Sequence, residues 1–208
     1  MAQIITIARG MGSGGRTIGK MLSEALGFKY YDKDLLRLAS EETGINEEFF
    51  DQVDEKLKRL FIKRGGVYKG GVIDPDSRDF ISDRNLFNFQ AKIIRELADK
   101  EPAVIVGRCA DYILRDRTDI VKLFIFSDSD TAVYNVCEAY GGSEKDARKL
   151  IEKTDKERST YYKHYTGNEW TDARNYNICL NTTRLDYETC VKIIMGYMKI
   201  IDDKYKRK

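Results

Sequence analysis

Near the start of the chain an apolar run, Ile4-Ile5-Thr6-Ile7-Ala8, leads through Arg9 into Gly10-Met11-Gly12-Ser13-Gly14-Gly15-Arg16-Thr17. Gly10 to Thr17 follow the spacing G-x-x-x-x-G-K-[ST], with Arg16 where lysine is usual. Glycines so spaced suit one chemistry, the cradling of a phosphate. Lacking a Cβ, the backbone enters dihedrals closed to other residues and comes close to a ligand. Successive N–H groups can then turn inward as an anion-binding nest. A helix opening at about Gly15 adds its positive end to the same spot. On this reading Gly12, Ser13, Gly14, Gly15, Arg16 and Thr17 bind phosphates, and the Thr17 hydroxyl reaches a Mg²⁺ ion. Arg16 is a permanent charge that can fork to two oxygens where lysine offers a point charge.

A cradle of this kind needs a buried strand before it and a helix behind it. Ile4 to Ala8 is apolar nearly throughout, as expected of a strand buried on both faces, and Arg16 to Leu26 is amphipathic and stopped by Gly27. Phe28 to Tyr31 reads as a second short strand, with Asp32 after it placed to cap a helix that runs to Ala39. Asn85 to Lys100 is an amphipathic helix, Ala103 to Val106 a buried strand, and Tyr112 to Leu114 part of a short helix. Val121 to Phe126 is the next strand, followed by a helix capped by Ser127 or Asp128 and closed by Gly141-Gly142. Ser143 caps a long charged helix reaching about Tyr165, and Tyr176 to Asn181 and Tyr187 to Ile201 read as the last strand and helix. Five short strands alternating with helices predict an α/β fold with a mostly parallel sheet and helices on both faces. Ligands in such sheets bind beyond the carboxyl ends of the strands, and Asp32, Arg108 and the glycine loop all fall there. Arg108 is therefore expected to hold a phosphate on an acceptor rather than to serve as an ion-paired strand end.

The stretch from about residue 43 to 84 breaks this rhythm. It holds a charged helical piece, Glu47 to Ile62, then Gly65-Gly66, Gly70-Gly71 and Asp74-Pro75-Asp76. Such punctuation predicts a mobile insertion flanking the site. The long helix carries Arg148, Lys149, Lys153, Lys156 and Arg158 beside Glu144, Asp146, Glu152, Asp155 and Glu157. Charge pattern alone makes this a solvated face laced with i,i+4 pairs; the other reading is a lid whose cations fold over a transferring phosphoryl group. Gly141-Gly142 and Gly167 would suit its hinges. Tyr161, Tyr162 and Tyr165, with Trp170, could stack a base or form the helix's packing face.

Composition narrows the field. The chain has 208 residues, 34% charged and 42% hydrophobic, with a net charge of +2. That near-balance gives no case for nucleic acid or an anionic membrane as partner, although the tail Lys204 to Lys208 is basic. Cys109, Cys137, Cys179 and Cys190 show no C-x-x-C spacing and His164 stands alone, which argues against a zinc site or a His-dependent hydrolase. Neither a leader nor an apolar run of about eighteen residues is apparent, so a cytoplasmic chain with reduced thiols is expected.

The run Ile7 to Arg16 with Tyr30-Tyr31-Asp32-Lys33 resembles the start of the cytidylate kinase-like proteins of the P-loop NTPase fold. Val104 to Leu114 is similar to the same family, as are Asp155-Lys156-Glu157-Arg158 followed by Tyr161-Tyr162, Trp170 and Asn181-Thr182. These pieces span nearly the whole chain in the family's order and are most like the branch with arginine in the phosphate loop. The resemblance implies a nucleoside monophosphate kinase architecture: one domain over 1–208, an acceptor-binding insertion at about 43–84 and a helical lid at about 141–170. It implies that Arg108 grips the acceptor phosphate and that Asp155 and Arg158 act near the phosphates, which favours the lid reading. Cys109 stands where true cytidylate kinases have an aspartate that helps recognise the acceptor. No strand ends in an acidic metal-holding residue, so Mg²⁺ would rest on Thr17, phosphates and water.

The expectation is ATP–Mg²⁺-dependent phosphoryl transfer to a small phosphorylated acceptor, a nucleoside monophosphate such as CMP. The alternatives are a nucleotide-binding regulatory protein without turnover and a kinase of another small metabolite. Arg16, Asp155 and Arg158 are the expected catalytic residues, Asp32 and Arg108 the acceptor-binding ones, and Arg148, Lys153 and Arg158 the lid cations.

Overall fold

The computed structural model describes residues 3–32, 34–43, 70–71 and 83–206. Its strands are β1 (Ile4–Arg9), β2 (Lys29–Tyr31), β3 (Ala103–Val106), β4 (Ile120–Phe126) and β5 (Ile178–Asn181). They form one parallel sheet in the order β2-β3-β1-β4-β5. The helices are α1 (Gly15–Leu26), α2 (Asp34–Thr43), α3 (Asp83–Lys100), α4 (Ala110–Ile113), α5 (Ser129–Tyr140), α6 (Glu144–Thr166) and α7 (Tyr187–Lys206), with a 3₁₀ turn at Ala173–Asn175. The expected α/β fold with helices on both faces of a five-stranded parallel sheet is present. The expected insertion at 43–84 lies almost wholly outside the described residues.

Side chains alternate across a strand, so a strand buried on both faces feeds two cores. On one face Ile4, Ala8, Ala103, Ile105 and Phe124 pack under α3, α4 and the C-terminal half of α6, through Phe87, Ile94, Ile113, Tyr162 and Tyr165. On the other, Ile5, Ile7, Val104, Val106, Leu123 and Ile125 pack under α1 and α7, through Ile18, Leu22, Val191, Ile194 and Met198. Each such fully buried aliphatic is worth about 1.5–3 kcal/mol. A third, smaller cluster joins α5 to α6 through Val133, Val136 and Ala147, with Met11 of the glycine loop against it. No helix among the described residues is long and apolar enough to cross a membrane.

Helix ends follow the polar residues that the sequence offers. Asp128, not Ser127, caps α5, its carboxylate accepting from the Thr131 N–H at 2.8 Å. Ser143 caps α6, and Gly167 closes it in the left-handed conformation.

The loop between β1 and α1 is shaped by its neighbours. Gly12 has φ +77° and lies so close to α5 that a Cβ would fall 2.5 Å from the Ala132 carbonyl oxygen. The Asn135 side chain also donates to the Gly12 carbonyl at 2.7 Å. Gly12→Ala is therefore expected to cost about 1–3 kcal/mol of stability, from the left-handed dihedral and the clash with backbone. Urea denaturation measures it, and a change below about 0.5 kcal/mol would show that the loop relaxes away from α5 freely.

Candidate active site

Helix α1 opens without a side-chain cap. Its N-cap is Gly14, at φ +75°, and its first turn holds no acidic residue. The first N–H groups of a helix have no intrahelical acceptor, so this end presents donors and positive potential. Besides α5, the segment after β5, α7 and α6 brace the loop in front of it. Ser13 is fully buried and donates from its hydroxyl to the Gly10 carbonyl. Thr182, just past β5, donates to the Ser13 carbonyl at 3.0 Å. Tyr187, at the start of α7, lies flush against Gly14, where a Cβ would come within 2.3 Å of its ring. On the α6 side, the Met11 N–H donates to the Asp155 carboxylate at 2.8 Å.

Beside this loop the carboxyl ends of β2, β3 and β1, adjacent in the sheet, gather charge. Asp32, past the end of β2, accepts from Arg16 Nε at 2.7 Å and lies 3.6 Å from Arg9 Nη2. Arg158 Nη1 donates to the Arg9 carbonyl at 3.0 Å and to Asp155 at 3.1 Å. Burial raises the Asp155 carboxyl above the ordinary carboxylate range, against the Met11 N–H and Arg158, and burial likewise lowers Arg158. Arg9 is lowered to about 9, first by burial and then by repulsion from Arg158, with Asp32 opposing. Arg9, the last residue of β1, was given no role by the sequence reading. The signal was there: a charge ending an apolar strand at the sheet's carboxyl edge, the argument that singled out Arg108.

Arg108 sits in a strained turn. Gly107, Arg108 and Cys109 have φ +81°, +56° and +55° in succession, a conformation that side-chain-bearing residues adopt only when their surroundings impose it. Helix α4 starts directly after it. There Asp111, 6% exposed, accepts from the Tyr162 hydroxyl of α6 at 2.6 Å. This buried bond ties the Arg108 turn to the helix that carries Asp155 and Arg158. Burial pushes the Asp111 carboxyl up to about 6, against the Tyr162 hydrogen bond.

The structure thus brings Arg16, Asp32, Asp155 and Arg158 together beside the glycine loop, and places Arg108 near enough to Arg9 to bear on its charge. It does not bring in Arg148, which pairs with Ser129 and Asp130 of α5, or Lys153, which is exposed. The packing reading holds for Tyr162, Tyr165 and Trp170, at 4%, 2% and 7% exposed. Phe87 stacks on Tyr165 at 3.9 Å and Phe124 meets Trp170 edge-on at 5.3 Å, so these rings are not available to a base. Asp111, Asn135, Thr182 and Tyr187 were missed as supports, because only tertiary packing brings them to the loop and the turn.

Residues 4–184 match the model of the cytidylate kinase-like family. The chain belongs to that family. It is 25% identical over 200 residues to a cytidylate kinase of Methanopyrus kandleri, covering 92% of this chain and 90% of that one. An uncharacterised protein of Eubacterium ventriosum has a crystal structure similar to this one at a TM-score of 0.68 and 30% identity, covering 94% of this chain and 98% of that chain. A shikimate kinase of Bacteroides thetaiotaomicron shares the fold at a TM-score of 0.53 and 13% identity, with 94% and 98% covered. Family and fold together support a P-loop kinase.

The residues of this cytidylate kinase-like chain fit a nucleotide's phosphates. The uncapped start of α1 offers Gly15, Arg16 and Thr17 N–H groups, and the loop shape is already set. For a Mg²⁺ ion, Thr17, exposed at that helix end, offers a hydroxyl oxygen. β3 and β4 end at Val106 and Phe126, which supply no carboxylate.

The Asp111 carboxyl holds its proton more tightly in the native chain than its ordinary value of 3.8 allows. Between that value and about 6 the native state binds more protons than the unfolded one, so stability falls as pH rises through this window. Asp111→Asn keeps an acceptor for Tyr162 and removes the titration. Urea denaturation from pH 4 to 7 should show the wild type losing on the order of 2 kcal/mol relative to Asp111→Asn. Parallel pH profiles would mean that Asp111 is not held this way.

Proposed function

We propose that the chain transfers the γ-phosphoryl group of ATP, with Mg²⁺, to a nucleoside monophosphate such as CMP, giving ADP and the nucleoside diphosphate. One observation carries the reading. A braced phosphate loop shares the sheet edge with Asp32, the Arg108 turn and the Asp155–Arg158 pair of a second element. An oxygen of the acceptor phosphate forms the new bond to the γ-phosphorus as the bond to the β–γ bridging oxygen breaks, and ADP keeps that oxygen. A phosphate monoester is ionised at neutral pH, so its oxygen needs no general base. What the site must supply is position and neutralised charge. The loop and α1 would hold the ATP phosphates, and Thr17 would hold a Mg²⁺ ion that supplies charge neutralisation there. Arg16, once drawn from Asp32, and Arg158 would neutralise the transferring group, with Asp155 orienting Arg158, while Arg108 and Asp32 orient the acceptor. Lid closure by α6 would bring Arg148 and Lys153 nearer to the phosphates.

A second reading, a nucleotide-binding protein without turnover, has one observation in its favour: Arg16 is held by Asp32 rather than left facing the loop. An assay of ADP release with ATP–Mg²⁺ and a panel of CMP, dCMP, UMP and non-nucleotide hydroxyl compounds separates the two. Stimulation by a pyrimidine monophosphate that Arg16→Ala abolishes supports the kinase. ATP binding with no stimulated release supports the second reading, and release only with a non-nucleotide compound assigns another acceptor.

Arg108→Ala should raise the acceptor KM about tenfold or more and leave the ATP KM within about twofold. An equal rise in both would remove Arg108 from the acceptor site.

A further inference from the structure

We infer that Arg9 is a phosphoryl-binding residue of this site, its guanidinium contacting the group passed from the nucleotide to the acceptor. The inference rests on the kinase reading and adds a residue to it. Arg9 ends the row Ile5–Ile7 that faces α1, so a side chain on the apolar side of the strand emerges at the carboxyl edge as a charge. Its position is closely fixed. The Gly107 backbone lies so near that a Cβ there would be 2.1 Å from Arg9 Nη1, and a Cβ on Gly15 would be 2.6 Å from Arg9 Cβ. The stem of Arg9 thus packs on Gly15 of the glycine loop and its guanidinium on the Arg108 turn, the two sides across which a phosphoryl group would pass.

The charge around it is out of balance. Arg158, Arg16 and Arg108 all bear on Arg9 as like charges; Asp32 opposes them, and the more distant Asp155 also attracts Arg9. The Asp32 carboxylate is closer to Arg16, at 2.7 Å, than to Arg9, at 3.6 Å. The carboxylate of Asp155 is taken up by the Met11 N–H and Arg158. Arg9 Nε is buried with no hydrogen-bond partner among the described residues. Burying a guanidinium among guanidiniums without full pairing destabilises the fold. Such an arrangement fits a site completed by an anion. The anion that matches is compact and doubly charged, with several oxygens for a planar fork; a phosphoryl group has these properties, and a lone carboxylate has half the charge.

A purely structural arginine would serve instead to clamp Asp32 and Gly107, and the two roles predict opposite effects. The test titrates pyrophosphate, with chelator present to exclude metal, into the wild type and R9Q by calorimetry, and records melting temperatures without ligand. The expected result is an affinity about tenfold or more lower in R9Q, with a ligand-free melting temperature equal to or above that of the wild type. Unchanged affinity with a lowered melting temperature overturns the inference and makes Arg9 a clamp. Should R9Q not fold, R9K keeps the charge and loses the fork; a drop of about threefold or more is expected, and no drop overturns the inference. A wild type that binds neither pyrophosphate nor ATP–Mg²⁺ overturns the kinase reading and this inference with it. Pyrophosphate binding that R9Q leaves intact overturns the inference alone.

Discussion

The backbone between Gly10 and Thr17 holds its shape through contacts from four other elements. Ala132 and Asn135 of α5 press on Gly12. Thr182 and Tyr187 fix Ser13 and Gly14 from the β5 side, and Asp155 of α6 takes the Met11 N–H. A loop braced this way has its shape set by folding, so little further ordering would be needed for it to bind an anion. The hydrophobic clusters serve the same end. By seating α1 and α7 on one sheet face and α3 and α6 on the other, they set where those contacts fall.

Charge is the second organising fact. Arg9, Arg16 and Arg158 meet Asp32 and Asp155 at one edge of the sheet, in surroundings dry enough to lower both Arg9 and Arg158 and to raise Asp155. Burying such charges costs stability even where Arg and Asp pair, because the guanidiniums also repel one another. The strained Gly107-Arg108-Cys109 turn belongs to the same economy, and the buried Asp111–Tyr162 bond behind it couples that turn to α6. The Arg108 turn and α6 are thereby linked through the core, not only through solvent-facing pairs.

Much of this was legible in the chain. The strands were, because burial on both faces leaves apolar runs that no helix period explains, and the helix ends were, because Asp128, Ser143 and Gly167 act locally. Strand β2 was placed to within a residue, and α7 ran five residues further than its apolar pattern alone suggested. Tyr162, Tyr165 and Trp170 stayed ambiguous, since an aromatic at helical spacing reads the same against a core or a base. Of the charged α6 residues the sequence singled out, Asp155 and Arg158 reach the loop while Arg148 turns to α5, a difference of about two helical turns that spacing could not assign to a face.

The sequence by itself determined the phosphate-loop pattern, the alternation of strands and helices, and the edge at which Asp32 and Arg108 would stand. Those are local properties: glycine spacing, hydrophobic period, and the rule that strand ends carry the ligand. Only the tertiary structure decided which charges meet. Arg9 and Arg158 are 149 residues apart, and Asp155 and Met11 are 144 apart. The strand order that sets β3 between β2 and β1 is a result of packing. Their encounter depends on how two cores close around one sheet, which no window of neighbouring residues contains.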